Sequence, residues 1–94
     1  MVIGACEVRL RIEGARSLKE KRKVLKSMRD RIAKMNLSVS EVDDNEKWQA
    51  ATMGIVMVSN DVPFVNSVLD RVVADMEESG EIEVIAVRRE ILHL

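Results

Sequence analysis

The sequence predicts an α+β fold in which two helices cover one face of a four-stranded antiparallel sheet. Three observations carry that prediction. The opening segment alternates strictly between apolar and charged residues. Two later stretches repeat apolar residues at helical spacing behind recognisable start signals, and three further strand-like runs bring the element order to βαββαβ.

In the first strand, Val2, Gly4, Cys6, Val8, Leu10 and Ile12 share one face, and Glu7, Arg9, Arg11 and Glu13 share the other. A period of two in side-chain direction is the property of a strand with one buried side. Gly14 ends it. Ser17 and Glu20 form a capping-box pair, in which each side chain can satisfy a free backbone N–H at a helix start. Leu18, Leu25, Met28, Ile32 and Met35 then make one apolar stripe, so a helix is expected over about 18 to 35. The short run from Leu37 to Val42 alternates again and reads as a second strand, followed by the polar turn Asp43-Asp44-Asn45-Glu46.

From Trp48 to Ser59 a long strand is expected. Thr52, Gly54, Val56 and Val58 lie on one side of it, and Met53, Ile55 and Met57 on the other. Both sides are largely apolar, which marks a central strand or one whose second face is covered. Asp61 supplies a cap and Pro63 is tolerated in the first turn of the second helix. That helix points Val62, Val65, Leu69, Val72 and Met76 inward and stops at Gly80. Glu81 to about Ile91 forms the last strand through Ile82, Val84, Ile85 and Val87. Right-handed crossovers with both helices on one side then give a ferredoxin-like sandwich, a single domain over residues 1–94.

Composition excludes several classes. One cysteine, Cys6, cannot close an internal disulfide, so a secreted disulfide scaffold is ruled out. No segment approaches about 18 uninterrupted apolar residues, and the N-terminus lacks the basic start and long apolar run of a signal peptide. A cytoplasmic protein with no membrane contact is the expectation. No phosphate-binding glycine loop or serine nucleophile elbow is present, the four glycines being isolated. Cys6 and His93 sit at opposite ends of the chain with no second Cys or His for a zinc site. No catalytic residue, metal site or cofactor is assigned.

Charge is the informative feature. The formal net charge of −1 hides a split: residues 1–36 carry 11 basic and 4 acidic residues, and residues 37–94 carry 4 basic and 12 acidic. On the first helix Lys19, Arg22, Lys23, Lys26 and Arg29 fall within an arc of about 120° away from the apolar stripe. Like charges three or four apart repel, and cations in the first turns oppose the helix dipole. An anionic partner, most naturally phosphate backbone, gives such an arrangement a use. The candidate nucleic-acid-binding set is Lys19, Lys21, Arg22, Lys23, Lys26 and Arg29. The competing reading is a solvated face, partly neutralised by Asp70, Asp75, Glu77 and Glu78 on the second helix.

Three other features invite both a functional and a plain reading. Trp48 could stack a base, but at the start of a strand it reads as a partly buried anchor. Glu41, Asp43, Asp44 and Glu46 could offer oxygen ligands to a cation, yet the spacing fits no calcium loop, so an acidic hairpin is expected. Met53, Ile55 and Met57 form a candidate apolar interface on the sheet face opposite the helices, the pattern alone leaving open which side of the strand faces them. A homodimer through the open sheet or through an edge strand is the expectation, and a monomer that buries the second face under its own termini is the alternative.

The motifs Ser17-Leu18-Lys19-Glu20-Lys21-Arg22, Glu41-Val42-Asp43-Asp44, Trp48-Gln49-Ala50-Ala51 and Val58-Ser59-Asn60-Asp61 occur in this order along the chain. In them the sequence resembles the small bacterial YlxP-like proteins, a domain-of-unknown-function family. The resemblance implies the same ferredoxin-like fold. It also implies a genomic setting among factors for antitermination, translation initiation and ribosome maturation, and hence an RNA or ribosomal-subunit partner. It brings no catalytic residues.

Overall fold

The computed structural model describes residues 1–94. Its elements are β1 (Val2–Arg11), α1 (Leu18–Ala33), β2 (Ser38–Asp43), β3 (Ala50–Ser59), α2 (Val62–Glu78) and β4 (Glu83–His93). The strands make one antiparallel sheet in the order β2-β3-β1-β4. The expected βαββαβ ferredoxin-like arrangement is the one observed.

Register fixes which side of each strand is buried. Gly4, Cys6, Val8 and Leu10 of β1 pair with Met57, Ile55, Met53 and Ala51 of β3. All of these face the helices and join Leu25, Met28, Ile32, Val65, Val68, Leu69, Val72 and Met76 in the core. Gly4 is required here, because a Cβ would overlap Val65 Cγ1 and come within 3.3 Å of Leu69 Cδ1. α2 therefore lies directly on the backbone of β1.

This register corrects the expectation for Met53, Ile55 and Met57. They are 0%, 1% and 5% exposed and belong to the core, so they form no interface. The open face of β3 is instead Thr52, Gly54, Val56 and Val58, of which Val56 and Val58 are exposed. The physical reason is volume. Space between a sheet and two helices must be filled to crystal-like density, and the long Met and Ile side chains fill it better than Gly, Thr and Val.

Both edge strands carry bulges. On β2 the register shifts between Glu41 and Asp43, leaving Val42 as the extra residue. On β4, Leu10 pairs with Val84 and Arg9 with Ala86, leaving Ile85 as the extra residue. Bulges at sheet edges disrupt the flat template that another chain would pair with.

The helix ends follow the sequence signals, with one difference. Ser17 Oγ accepts from Glu20 N at 3.1 Å, but the Glu20 carboxylate accepts from the Arg16 N–H rather than from that of Ser17. The carboxylate still covers a free donor at the helix entrance. On α2, Asp61 accepts from Phe64 N at 3.0 Å. α1 closes through Asn36 in the left-handed region (φ 61°), where Asn is tolerated better than most residues.

Candidate functional site

The outer face of α1 projects Lys19, Arg22, Lys23, Lys26 and Arg29 into solvent. Lys26 pairs with Asp30 at 2.9 Å within the helix. Lys19, Arg22, Lys23 and Arg29 have no salt-bridge partner, and neither do Arg16 before the helix and Lys34 at its C-cap. Neutralisation by the acidic second helix is limited to one pair, Arg31 with Asp75 at 3.1 Å. Asp70 turns instead to β4, where Arg89 reaches it at 2.9 Å. The basic face of α1 is thus left largely uncompensated.

Lys21 is a correction to the sequence-based set. It is 1% exposed and lies on the inner side of α1. Its ammonium donates to the carbonyls of Lys47 at 2.6 Å, Asp44 at 2.8 Å and Ala50 at 3.0 Å. Asn45 O lies farther off, at 3.5 Å. The ammonium has three protons to give, and the three short contacts account for them. Glu41 Oε2 sits 2.8 Å away as the counter-charge, yet it is buried and receives no well-directed hydrogen bond. The Glu41 contact is therefore Coulombic, while the carbonyls take the protons. Lys21 cannot reach a phosphate without opening this cage.

The sequence held a signal for this. Lys21, Leu25, Met28 and Ile32 are spaced i, i+4, i+7 and i+11, so Lys21 lies in the apolar stripe and outside the basic arc. Lys34 was the opposite case, a solvent-facing cation at the helix end that the candidate set omitted.

The Lys21 cage also explains the acidic hairpin. The turn after β2 wraps its carbonyls around an ammonium delivered from α1, so the interior of the loop is filled by a protein cation. Asp44, in the left-handed region (φ 65°), accepts from Thr52 Oγ1 at 2.7 Å and pairs with Lys47 at 3.0 Å. The Thr52 hydrogen bond, then that of Lys47, holds its carboxyl below the usual range. The loop's far end is fastened too. Gln49 Nε2 donates to Glu13 O at 3.0 Å and Ala15 O at 3.1 Å, and Ile12 N donates to Gln49 O at 2.9 Å.

Trp48 lies in this loop, before β3 begins, and is 54% exposed. It is not the partly buried anchor its position suggested. Lys21 and Gln49 do the anchoring, which leaves the ring free to stand outward.

Cys6 and His93 are not brought together. Cys6 pairs with Arg89 across the sheet, and His93 lies opposite Val2, four residues along the strand. That separation is roughly 13 Å at a strand's rise per residue. Burial pushes the Cys6 thiol upward, and the Arg89 guanidinium only partly opposes this. No helix of the chain is long and apolar enough to cross a membrane.

A family described as a protein of unknown function (DUF503) matches residues 3–89. The chain belongs to the DUF503 family. Within known proteins it is 40% identical over 83 residues to the uncharacterized protein YlxP of Bacillus subtilis (strain 168), covering 87% of this chain and 90% of that protein. Among solved structures it resembles the de novo designed protein Foldit4, with a TM-score of 0.62 at 14% identity over 94% of this chain and 96% of that one. This last likeness is one of fold alone. The two sequence matches span the DUF503 residues that build both the basic face of α1 and the Lys21 cage.

Proposed function

We propose that this DUF503 protein binds RNA, free or within a ribosomal subunit, through the outer face of α1. The observation that carries the reading is the row of exposed cations Lys19, Arg22, Lys23, Arg29 and Lys34, none paired within the molecule. Clustered cations on one helix cost stability through mutual repulsion, and phosphate contacts convert that cost into affinity by releasing condensed counterions. The sheet offers no rings for base stacking, since the chain has one Phe, one Trp and no Tyr, with Phe64 on α2 and Trp48 in a loop. Backbone recognition by α1, rather than base stacking on the sheet, is the mode that fits.

Binding to a synthetic single-stranded RNA, followed as salt is raised, tests the proposal. Five phosphate contacts give a log–log salt slope of about −3.5, so affinity falls roughly a hundredfold between 50 and 200 mM salt. Charge reversal at Lys19, Arg22 and Arg29 lowers the slope magnitude by about 2 and leaves the fold intact. Salt-insensitive binding that survives this reversal refutes the reading.

A second reading, a homodimer, is favoured by the open sheet face. Val42, Val56, Val58 and Leu92 are each between 44% and 61% exposed there. Ile3 lies between Val58 and Leu92 in the same cross-strand row. From strand spacing and rise the face measures roughly 600 Å², and two copies would bury about 1,200 Å², above the ~1,000 Å² of a specific interface. Its charges mix both signs through Glu7, Arg9, Arg88 and Glu90, which allows unlike charges to meet across a two-fold axis. Sedimentation of the wild type and of Val56→Lys/Val58→Lys decides it. A wild-type monomer at high micromolar concentration counts against the dimer.

A further inference from the structure

We infer that Trp48 is a base-stacking platform for single-stranded nucleic acid, placed where the strand meets the N-terminal end of α1. The inference rests on the phosphate-binding reading of α1 and adds the class of nucleic acid and a residue that contacts its bases.

Trp48 stands between two residues tied to the start of α1: the Lys47 carbonyl accepts from Lys21 Nζ at 2.6 Å, and the Gln49 side chain donates to Ala15 O at 3.1 Å. The backbone under the ring is therefore pinned on both sides to the entrance of the basic helix. Arg16 and Lys19, exposed and unpaired, stand in that same first turn and its approach.

Trp is the largest apolar side chain, and at 54% exposure it contributes little to the core. The loop does not need it as an anchor, since Lys21, Gln49 and the Ile12–Gln49 hydrogen bond hold the segment. The hydrogen bonds of Lys47 and Gln49 already hold the backbone under the ring, so a base that stacks there has to order the side chain and not the loop as well. Aromatic faces beside unpaired cations are the recurring elements of single-strand recognition, one taking bases and the other the phosphate track. A duplex hides its base faces, so the platform selects unpaired strand.

The only Trp of the chain makes the test direct. Affinities of wild type, Trp48→Phe and Trp48→Ala are read from the anisotropy of a fluorescein-labelled single-stranded RNA octamer of mixed sequence, since the variants keep no Trp or Tyr to report, and Trp48 emission is followed in wild type with the unlabelled octamer. In wild type the Trp48 emission is quenched to saturation. Trp48→Phe keeps most of the affinity, and Trp48→Ala loses about five- to a hundredfold. The salt slope is unchanged in both, because no cation has been removed. A matching RNA duplex binds without quenching. If Trp48→Ala binds as tightly as wild type while binding stays salt-dependent, the stacking inference is overturned and phosphate recognition by α1 stands; the ring then serves another contact, such as a protein surface. If wild type binds no RNA at low salt, both fall. Thermal melting of Trp48→Ala at the wild-type temperature shows that a loss of binding is not a loss of fold.

Discussion

Replacing Lys21 with alanine removes the ammonium that joins α1 to the β2–β3 hairpin. Three carbonyls, those of Asp44, Lys47 and Ala50, then lose their donor, and Glu41 keeps a buried oxygen with no cation beside it. Each orphaned buried group costs about 1–3 kcal/mol if it stays dry. The full sum is not reached, because the loop can swing open and let water in. Breaking a buried pair from one side typically costs about 3–5 kcal/mol, and that is the expected loss. A domain of this length has about 5–14 kcal/mol of stability in total, so the variant retains a fold but melts on the order of 20 °C lower. Urea unfolding followed by circular dichroism gives the number, with Lys19→Ala as the solvent-facing reference at within about 0.5 kcal/mol. Lys21→Met separates the contributions, since it restores the volume and leaves the oxygens unpaired. A cost for Lys21→Ala below about 1 kcal/mol would refute the reasoning, because the cage would then carry no more weight than a surface lysine.

Two glycines give a contrasting pair. Gly4→Ala drives a methyl into Val65 beneath α2 and should cost about 1–3 kcal/mol in urea unfolding. At Gly54→Ala the new atom meets Val42 Cγ1 at 2.9 Å, but Val42 is 54% exposed on an edge bulge and can rotate away, so the cost should be well under that of Gly4→Ala. Acid should act through Asp44, whose carboxyl is held below its unfolded value of about 3.9 by Thr52 and Lys47. A lowered folded pKa gives stabilisation that is complete above the unfolded value and is lost as pH falls through the folded one. Asp44→Asn should therefore cost stability at pH 7 and flatten its decline below about pH 4, measured by urea midpoints across pH; a decline as steep as wild type would locate the acid sensitivity elsewhere.

The fold was legible because its signals are local. Strict alternation in β1, Ser17 before α1 and Asp61 before α2 each state an element without reference to the rest of the chain. The inner face of β3 was not, because apolar residues on both sides make the period of two uninformative. Only pairing with β1, whose even-numbered residues face inward, decides it. The size difference between Met53, Ile55, Met57 and Gly54, Val56, Val58 was the available hint. For the candidate site, solvent-facing cations could be read from helical projection, and so could the inward position of Lys21. Its partners could not, since three of them are backbone carbonyls and every residue carries one. Trp48 was misplaced for the same reason: what holds its loop is main-chain oxygen and the amide of Gln49, neither of which announces itself in residue types.

The central place of β1 also governs how the chain reaches its native state. Val2 pairs with Ser59 on one side and His93 on the other, so the strand made first is completed last. Closing loops of that length before their contacts form slows folding relative to a helical bundle. During synthesis β1 waits with both edges open and its apolar face uncovered. The β2–β3 hairpin, fastened to α1 by Lys21, is by contrast complete once residue 59 has emerged, and it can serve as the early template against which β1 docks. A chain interrupted before β4 would expose one full side of β1 as an unpaired edge, which makes nascent and truncated forms of this domain the ones most prone to associate with one another.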